Sequence, residues 1–335
     1  MKLSSPDTRW AFTSVIAAAI KYGPTRVNRI AFDLDIPVET CRYYLKRFHQ
    51  AGFRFLPVVD YHAIGLSPHA VFVRFPRQTP EAKRNILMRW LEGIYAVYRA
   101  SLNGTNDLFY QTVPPENDKN TFVELFDFLR DAGVLENYLV EEIVGGYYQP
   151  NWMTMYRFDE LRWDEKLELP IPVVPYSEVH GKTFYDKLDL KIIEQLELDP
   201  RRKMKEISEN LNVSPQLVSY HREKHIDAAR LITGYVPVRQ TYQEDVRYML
   251  ISLPIDANRF KSDYLHSVSI TRSRVLLRVH VPKWIDAFES LKPYLIDPSN
   301  AISFTTPVEH LTEKGWRNLE EITAEAEKMV KVITR

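Results

Sequence analysis

The stretch MKEISENLNVSPQLVSYHREKHI, Met204 to Ile226, decides how the rest of the chain is read. It reads as two short helices joined by a tight turn. Ile207 and Leu211 lie four apart on one face of the first helix, Leu217 and Val218 face inward on the second, and Val213 fills the turn. Ser214 is a natural N-cap, because its hydroxyl accepts an orphan N–H, and Pro215 is a natural first helical residue, because it has no N–H to lose. The second helix is expected to turn Gln216, Ser219, Tyr220 and Arg222 outward, with Lys224 further along, which are donors and acceptors able to read base edges and phosphates. This is the layout of a helix-turn-helix recognition helix. Two amphipathic helices and a turn also occur in ordinary helical cores, so the remaining chain must decide.

The same plan occurs near the N-terminus. A helix over residues 8–22, with Trp10, Ile16 and Ile20 available for burial, stops at Gly23 and Pro24. A short helix follows over 25–34, Asp35 turns the chain, and a third helix over 37–50 repeats Cys41, Leu45 and Phe48 inward. It directs Glu39, Thr40, Arg42, Tyr43, Lys46 and Arg47 outward. A helix over 185–198 precedes the opening stretch in the same way. After each third helix the chain goes extended, FLPVVDY at 55–61 and YVPVRQT at 235–241, with Pro57 and Pro237 in matching places. An internal repeat of about half the chain explains these matches.

Between and after the helical units the spacing predicts βαββαβ modules. In the first, strands at 69–75, 95–102, 108–113 and 138–144 alternate with helices at 81–91 and 121–132, and the turn Asn103 to Asp107 closes the central hairpin. In the second, the corresponding segments are 246–253, 258–265 as helix, 266–271, 275–281, 284–291 as helix, and 301–305. The fold class is therefore α+β, two winged helix-turn-helix units alternating with two ferredoxin-like βαββαβ modules. The expected divisions are 1–60 and 61–150 for the first pair, 151–183 as a Trp- and Pro-rich linker whose aromatic residues could pack across the halves, and 184–240 and 241–312 for the second pair. The C-terminal helix, 313–335, carries Leu319, Ile322, Ala326, Met329 and Ile333 as a stripe expected to dock on the sheet.

Composition limits the partners. Lys plus Arg and Asp plus Glu are 44 each, so there is no global basic field and any nucleic-acid contact must be local. Residues 7–54 supply such a patch, with eight basic residues against four acidic ones. The lone cysteine, Cys41, leaves no internal disulfide, no signal peptide is legible, and no apolar run reaches the length of a membrane span; a cytoplasmic location without membrane contact is expected. Sequence signatures of hydrolases, metalloproteases and phosphate-cradling loops are missing from the chain, and catalysis is not expected. His221 and His225, at i and i+4, could ligate a metal, but no nearby carboxylate or cysteine is expected to complete a site, so a structural role is expected, with no metal and no cofactor.

LDLKIIEQLELDPRRKMKEISENLNVSPQLVSYH (188–221), FRFLPVVDYHAIGL (53–66) and the turn Gly104-Thr105-Asn106-Asp107, in this order of segment types, resemble the Lrp/AsnC, or feast/famine, family of prokaryotic transcription regulators, here as two fused copies. The resemblance implies a prokaryotic, archaeal DNA-binding regulator acting as a pseudo-dimer. It would contact double-stranded DNA through Thr40, Arg42, Tyr43, Lys46, Arg47, Ser214, Gln216, Ser219, Tyr220 and Arg222. It further implies modules that pair through their sheets, association into homo-oligomers, and an amino acid or similar small molecule bound near Gly104 and Asp107. Two departures stand out: Arg272-Ser273-Arg274 replaces the second glycine turn, and Arg222 and His225 occupy positions where the family places apolar residues, implying a rotated or shortened second recognition helix. Siroheme decarboxylases also use fused Lrp-like halves and hold a tetrapyrrole with histidine and arginine; this is the alternative. A sensor whose helical units serve protein contacts only is a third.

Overall fold

In this computed structural model the described residues are 5–92, 95–102, 107–158, 160–177, 184–239, 246–254, 263–282, 295–296, 298–303 and 319–334. The first helical unit contains α1 (Ser5–Tyr22), α2 (Val27–Asp33) and α3 (Val38–Gln50). Helix α1 buries Phe12, Val15, Ile16, Ala19 and Ile20, whereas Trp10 is 47% exposed and does not join the core as its spacing suggested. The left-handed Asp35 turns the chain between α2 and α3, and Cys41, Tyr44, Leu45 and Phe48 form the inward face of α3.

The arm β1 (Phe53–Val59) leads into the expected βαββαβ order: β2 (His69–Arg74), α4 (Glu81–Glu92), β3 (Ala96–Leu102), β4 (Asp107–Thr112), α5 (Lys119–Asp131) and β5 (Asn137–Tyr148). The segment after β5 is an ordered part of the core. A short ribbon, β6 (Tyr156–Arg157) with β7 (Arg162–Trp163), and a strand β8 (Val174–Ser177) paired on β5 organise it. Trp152, Tyr156 and Phe158 are buried there, and Phe158 packs against Phe12, Phe48 and Phe53 of the first unit at ring separations of 5.0–5.8 Å.

The second helical unit starts at α6 (Lys187–Leu198), where Asp186 and Asp189 form a reciprocal capping box. Helix α7 (Met204–Leu211) ends at the left-handed Asn212, and α8 (Pro215–Tyr220) begins at Ser214, whose Oγ accepts from the Leu217 N–H at 3.2 Å. Beyond Tyr220 the helix does not end. It widens into a π-helical segment, His221–Asp227.

The extended arms of the two units pair with each other. Strand β9 (Ile232–Arg239) runs antiparallel to β1, with Phe55 opposite Pro237 and Pro57 opposite Tyr235. Proline cannot donate to a ladder and survives in sheets at edges; a two-stranded ribbon consists of edges only, which accommodates both. Helix α1 packs on β9 and α6 packs on β1, so each unit's first helix covers the other's strand.

The second α/β module adds β10 (Val246–Pro254), β11 (Leu265–Thr271), β12 (Arg274–Pro282), β13 (Leu295–Ile296) and β14 (Pro298–Ser303). They join those of the first module in one sheet, in the order β13-β10-β12-β11-β5-β2-β4-β3-β14, with β8 attached to β5. The modules meet where β11 pairs with β5, and β14 crosses back to β3. Since one residue separates β13 from β14, the two ends of the sheet meet. Most of the helix expected at 258–265 and all of that at 284–291 lie outside the described residues; Leu265 itself opens β11. Helix α9 (Leu319–Thr334) buries Ala326 and Met329 and packs on α5, which itself lies against β5.

Gly23 ends α1 with φ +87, and a Cβ there would lie 2.6 Å from the Tyr235 ring across the junction. Gly133 has φ +71 with open space around it. A Gly133→Ala variant should lose about 1–2 kcal/mol, the cost of left-handed backbone alone. Gly23→Ala should lose about 1–3 kcal/mol more through overpacking. Urea denaturation of the two variants checks this; equal losses would show that the α1–β9 contact is not tight.

Candidate functional site

Helices α3 and α8, on which the expected DNA-contact residues lie, present unequal faces. On α3, Arg42, Tyr43 and Lys46 are exposed and Thr40 and Arg47 half-buried. The Arg47 guanidinium lies 5.8 Å from the Tyr43 ring centre and donates to its hydroxyl at 3.2 Å, while Arg42 pairs with Glu39 one turn back. On α8, Ser214, Gln216 and Tyr220 are exposed and Ser219 is half-buried. Only Val218 of the expected inward pair is buried; Leu217 is 40% exposed.

Arg222 does not face outward, which corrects its expected place on the reading face. The π turn rotates it inward until it is 8% exposed. Its Nε donates to Asp227 at 2.9 Å and its Nη2 to the Tyr235 hydroxyl at 3.0 Å, while Nη1 finds no partner among the described residues. Asp227 also accepts from Arg26 of the first unit at 2.8 Å. Arg222 is thus a junction residue, tying the π-helical continuation of α8 to β9 and, through Asp227, to the start of α2. A cleft of about 380 Å³ opens here, lined by Lys21, Arg26, Arg29, Arg222, Asp227 and Tyr235 among others.

His221 and His225 also turn inward. Asp189, fully buried, offers one oxygen to each Nδ1 at 2.9 Å, and Asp186 lies 3.7 Å from His221. The expectation that no carboxylate stands near these histidines is therefore corrected: the pair is far away in sequence, on the N-terminal turn of α6 and the residue before it, and tertiary packing brings it in.

A second cluster sits where the α/β modules meet. The register of β11 against β12 shifts between Leu265 and Ser267, a bulge of the kind that re-aims a side chain, and His266 is the residue it displaces. His266 stacks on His280 with ring centres 4.2 Å apart, and Trp152 Nε1 contacts His266 Nδ1 at 3.3 Å. An indole N–H can only donate, so Nδ1 accepts and the ring is neutral. Burial, then the neighbouring His280 and Arg278, hold His266 well below the usual histidine range; burial and Arg278 push His280 down to about 3. Arg278 donates to Ser267 at 2.6 Å and to the Tyr148 hydroxyl at 3.3 Å. Nothing in the spacing marked this group, since its members lie on the linker and on different strands. Gly104 lies outside the described residues, and Asp107 opens β4 next to them.

Residues 185–224 match the winged helix-turn-helix DNA-binding domain family, so a DNA-binding domain of that type is present. No curated protein matches the chain. Among solved structures, the chain is similar to the siroheme decarboxylase NirDL, at 12% identity over 98% of this chain and 100% of that one, with a TM-score of 0.54. It is also similar to NirDL in complex with an iron-uroporphyrin III analogue, at 12% identity over 96% and 99%, with a TM-score of 0.50. The likeness is one of fold, with helical units alternating with α/β modules along the whole chain. It also corrects the expectation that catalysis is excluded: the same arrangement, end to end, is that of an enzyme. No helix among the described residues is long and apolar enough to cross a membrane.

Because native His280 resists protonation while an unfolded histidine titrates near 6.5, the unfolded chain binds the extra proton below that pH. Stability is expected to be complete above pH 6.5 and to fall from there towards about 3, by up to about 1.4 kcal/mol per pH unit for this group. His280→Phe should flatten the decline between pH 6.5 and 4 in urea titrations. An unchanged slope would show that His280 titrates normally in the folded protein.

Proposed function

We propose that the chain is a sequence-specific, DNA-binding transcription regulator of Lrp/AsnC type, built as a fused pseudo-dimer. The observation that carries this reading is a pair of exposed polar helix faces, one per unit, on units locked together by the β1–β9 ribbon. Two such helices held at a set spacing suit successive major grooves. Arg42, Tyr43, Lys46 and Arg47 supply cationic and aromatic groups on the first face, with Thr40 beside them; Ser214, Gln216, Ser219 and Tyr220 supply neutral donors and acceptors on the second. Arg222 acts in this scheme by holding the second helix and not by touching DNA. The basic cleft at the junction is where an anionic effector, such as an amino acid carboxylate, would act on both units at once.

The second reading is a tetrapyrrole-binding protein of the siroheme decarboxylase kind. It is favoured by the full-length likeness to NirDL together with neutral His266, His280 and Arg278 gathered at the meeting of the modules. In that role His266 and His280 would supply an imidazole donor or carry a proton, and Arg278 would pair with a carboxylate side chain of the tetrapyrrole.

One experiment separates the readings. The purified chain is titrated with duplex DNA from its own upstream region and with a scrambled duplex, across a salt series, beside Lys46→Ala and Gln216→Ala. A regulator should prefer the native fragment; Lys46→Ala should reduce the salt slope by about 1, and Gln216→Ala should cost about 1–3 kcal/mol on the native fragment only. Weak and equal binding to both duplexes would overturn the regulator. A Soret shift on adding an iron porphyrin, abolished in a His266→Leu variant, would then establish the tetrapyrrole reading.

A further inference from the structure

We propose that Asp186, Asp189, His221 and His225 form a binding site for a divalent first-row transition ion of the zinc class. Their donor atoms all lie within 4.8 Å of one another. A tetrahedral ion with nitrogen and oxygen ligands at about 2.0–2.2 Å separates its donors by about 3.3–3.6 Å. His221 Nδ1 lies 2.9 Å from one Asp189 oxygen and His225 Nδ1 2.9 Å from the other, Asp186 lies 3.7 Å from His221, and no pair is wider than 4.8 Å, so side-chain rotations bring the four donors to that spacing.

Charge carries the argument further. Asp189 is fully buried, and among the described residues no lysine or arginine pairs with it or with Asp186. Among the described residues the Asp189 carboxylate oxygens meet only the Asp186 N–H and the two imidazoles, so the donor set is made of groups that can all turn to one ion. Imidazole and carboxylate together suit zinc and its neighbours better than calcium or magnesium.

Access and position also fit. Asp186 and His225 are 43% and 17% exposed at their side chains, which leaves a path from solvent, while Asp189 and His221 close the inner side. The ligands join the start of α6 to the π segment that continues α8. π turns inside helices are often functional sites, and here the widening is what carries His221 and His225 toward α6. A bound ion would set the direction of the recognition helix relative to its own unit. DNA affinity of the helix would then respond to the metal.

The test is Co²⁺ titration of the full-length chain after chelation and dialysis, followed in the visible range, with Zn²⁺ as competitor. One Co²⁺ per chain should give the d–d bands of a tetrahedral site, be displaced by Zn²⁺, and raise the melting temperature. His225→Ala, a half-buried position, should keep the wild-type far-ultraviolet dichroism and bind Co²⁺ at least about 100-fold more weakly, more than the loss of an outer-shell partner causes. Asp186→Asn keeps a capping side chain and should weaken binding as well, which provides a second variant should His225→Ala unfold. Failure of the wild type to bind Co²⁺, or wild-type affinity in both variants, would overturn the site.

Discussion

The antiparallel pairing of β1 with β9 is the constraint on which the arrangement of the molecule depends. Helix-turn-helix units joined only by a flexible chain would sample many relative orientations, and ordering them on a target would cost entropy at each event. Here main-chain hydrogen bonds between the two arms remove that freedom in advance. Because α1 covers β9 and α6 covers β1, neither unit can rotate without opening its partner's core. The tight approach of Tyr235 to Gly23 allows no slack at the crossing.

Charge placement reinforces the same junction. The Arg26–Asp227 pair is largely exposed and by itself contributes less than about 1 kcal/mol. Arg222 is different, because removing the carboxylate beside a buried guanidinium costs about 3–5 kcal/mol. Asp227 is therefore kept in place mainly by Arg222, and Arg26 benefits from a partner already positioned. The π turn is the backbone feature that makes this possible: it brings Arg222, His221 and His225 inward at positions that a regular α-helix would distribute differently.

The α/β part repeats the logic at a larger scale. Joining β11 to β5 and β14 to β3 makes the two modules a single sheet with no free boundary between them. Strand β11 brings His266 and its neighbour β12 brings Arg278 and His280 to the seam, where Trp152 of the intermodule segment packs against the two imidazoles. A chain with a winged helix-turn-helix match in one segment and a polar cluster where its α/β modules meet can serve DNA binding, ligand chemistry or both, which is why the architecture by itself admits an enzyme.

Local chemistry determined much of this by sequence alone. Ser214 and Pro215 mark the start of α8, Gly23 and Asp35 mark turns, and the period-2 and period-3.6 patterns place most of the helices and strands within a few residues. These signals are short-range, so they are legible without a fold. The exposure of Trp10 and Leu217 and the burial of Arg222 were not legible, because an amphipathic pattern cannot tell which neighbour will cover a face. The pairing of β1 with β9 joins residues about 180 positions apart, and Asp189 reaches His221 and His225 across 32 and 36. Only the tertiary structure decided those contacts, since the free energy that selects them comes from packing and charge neutralisation between distant segments, which no local propensity encodes.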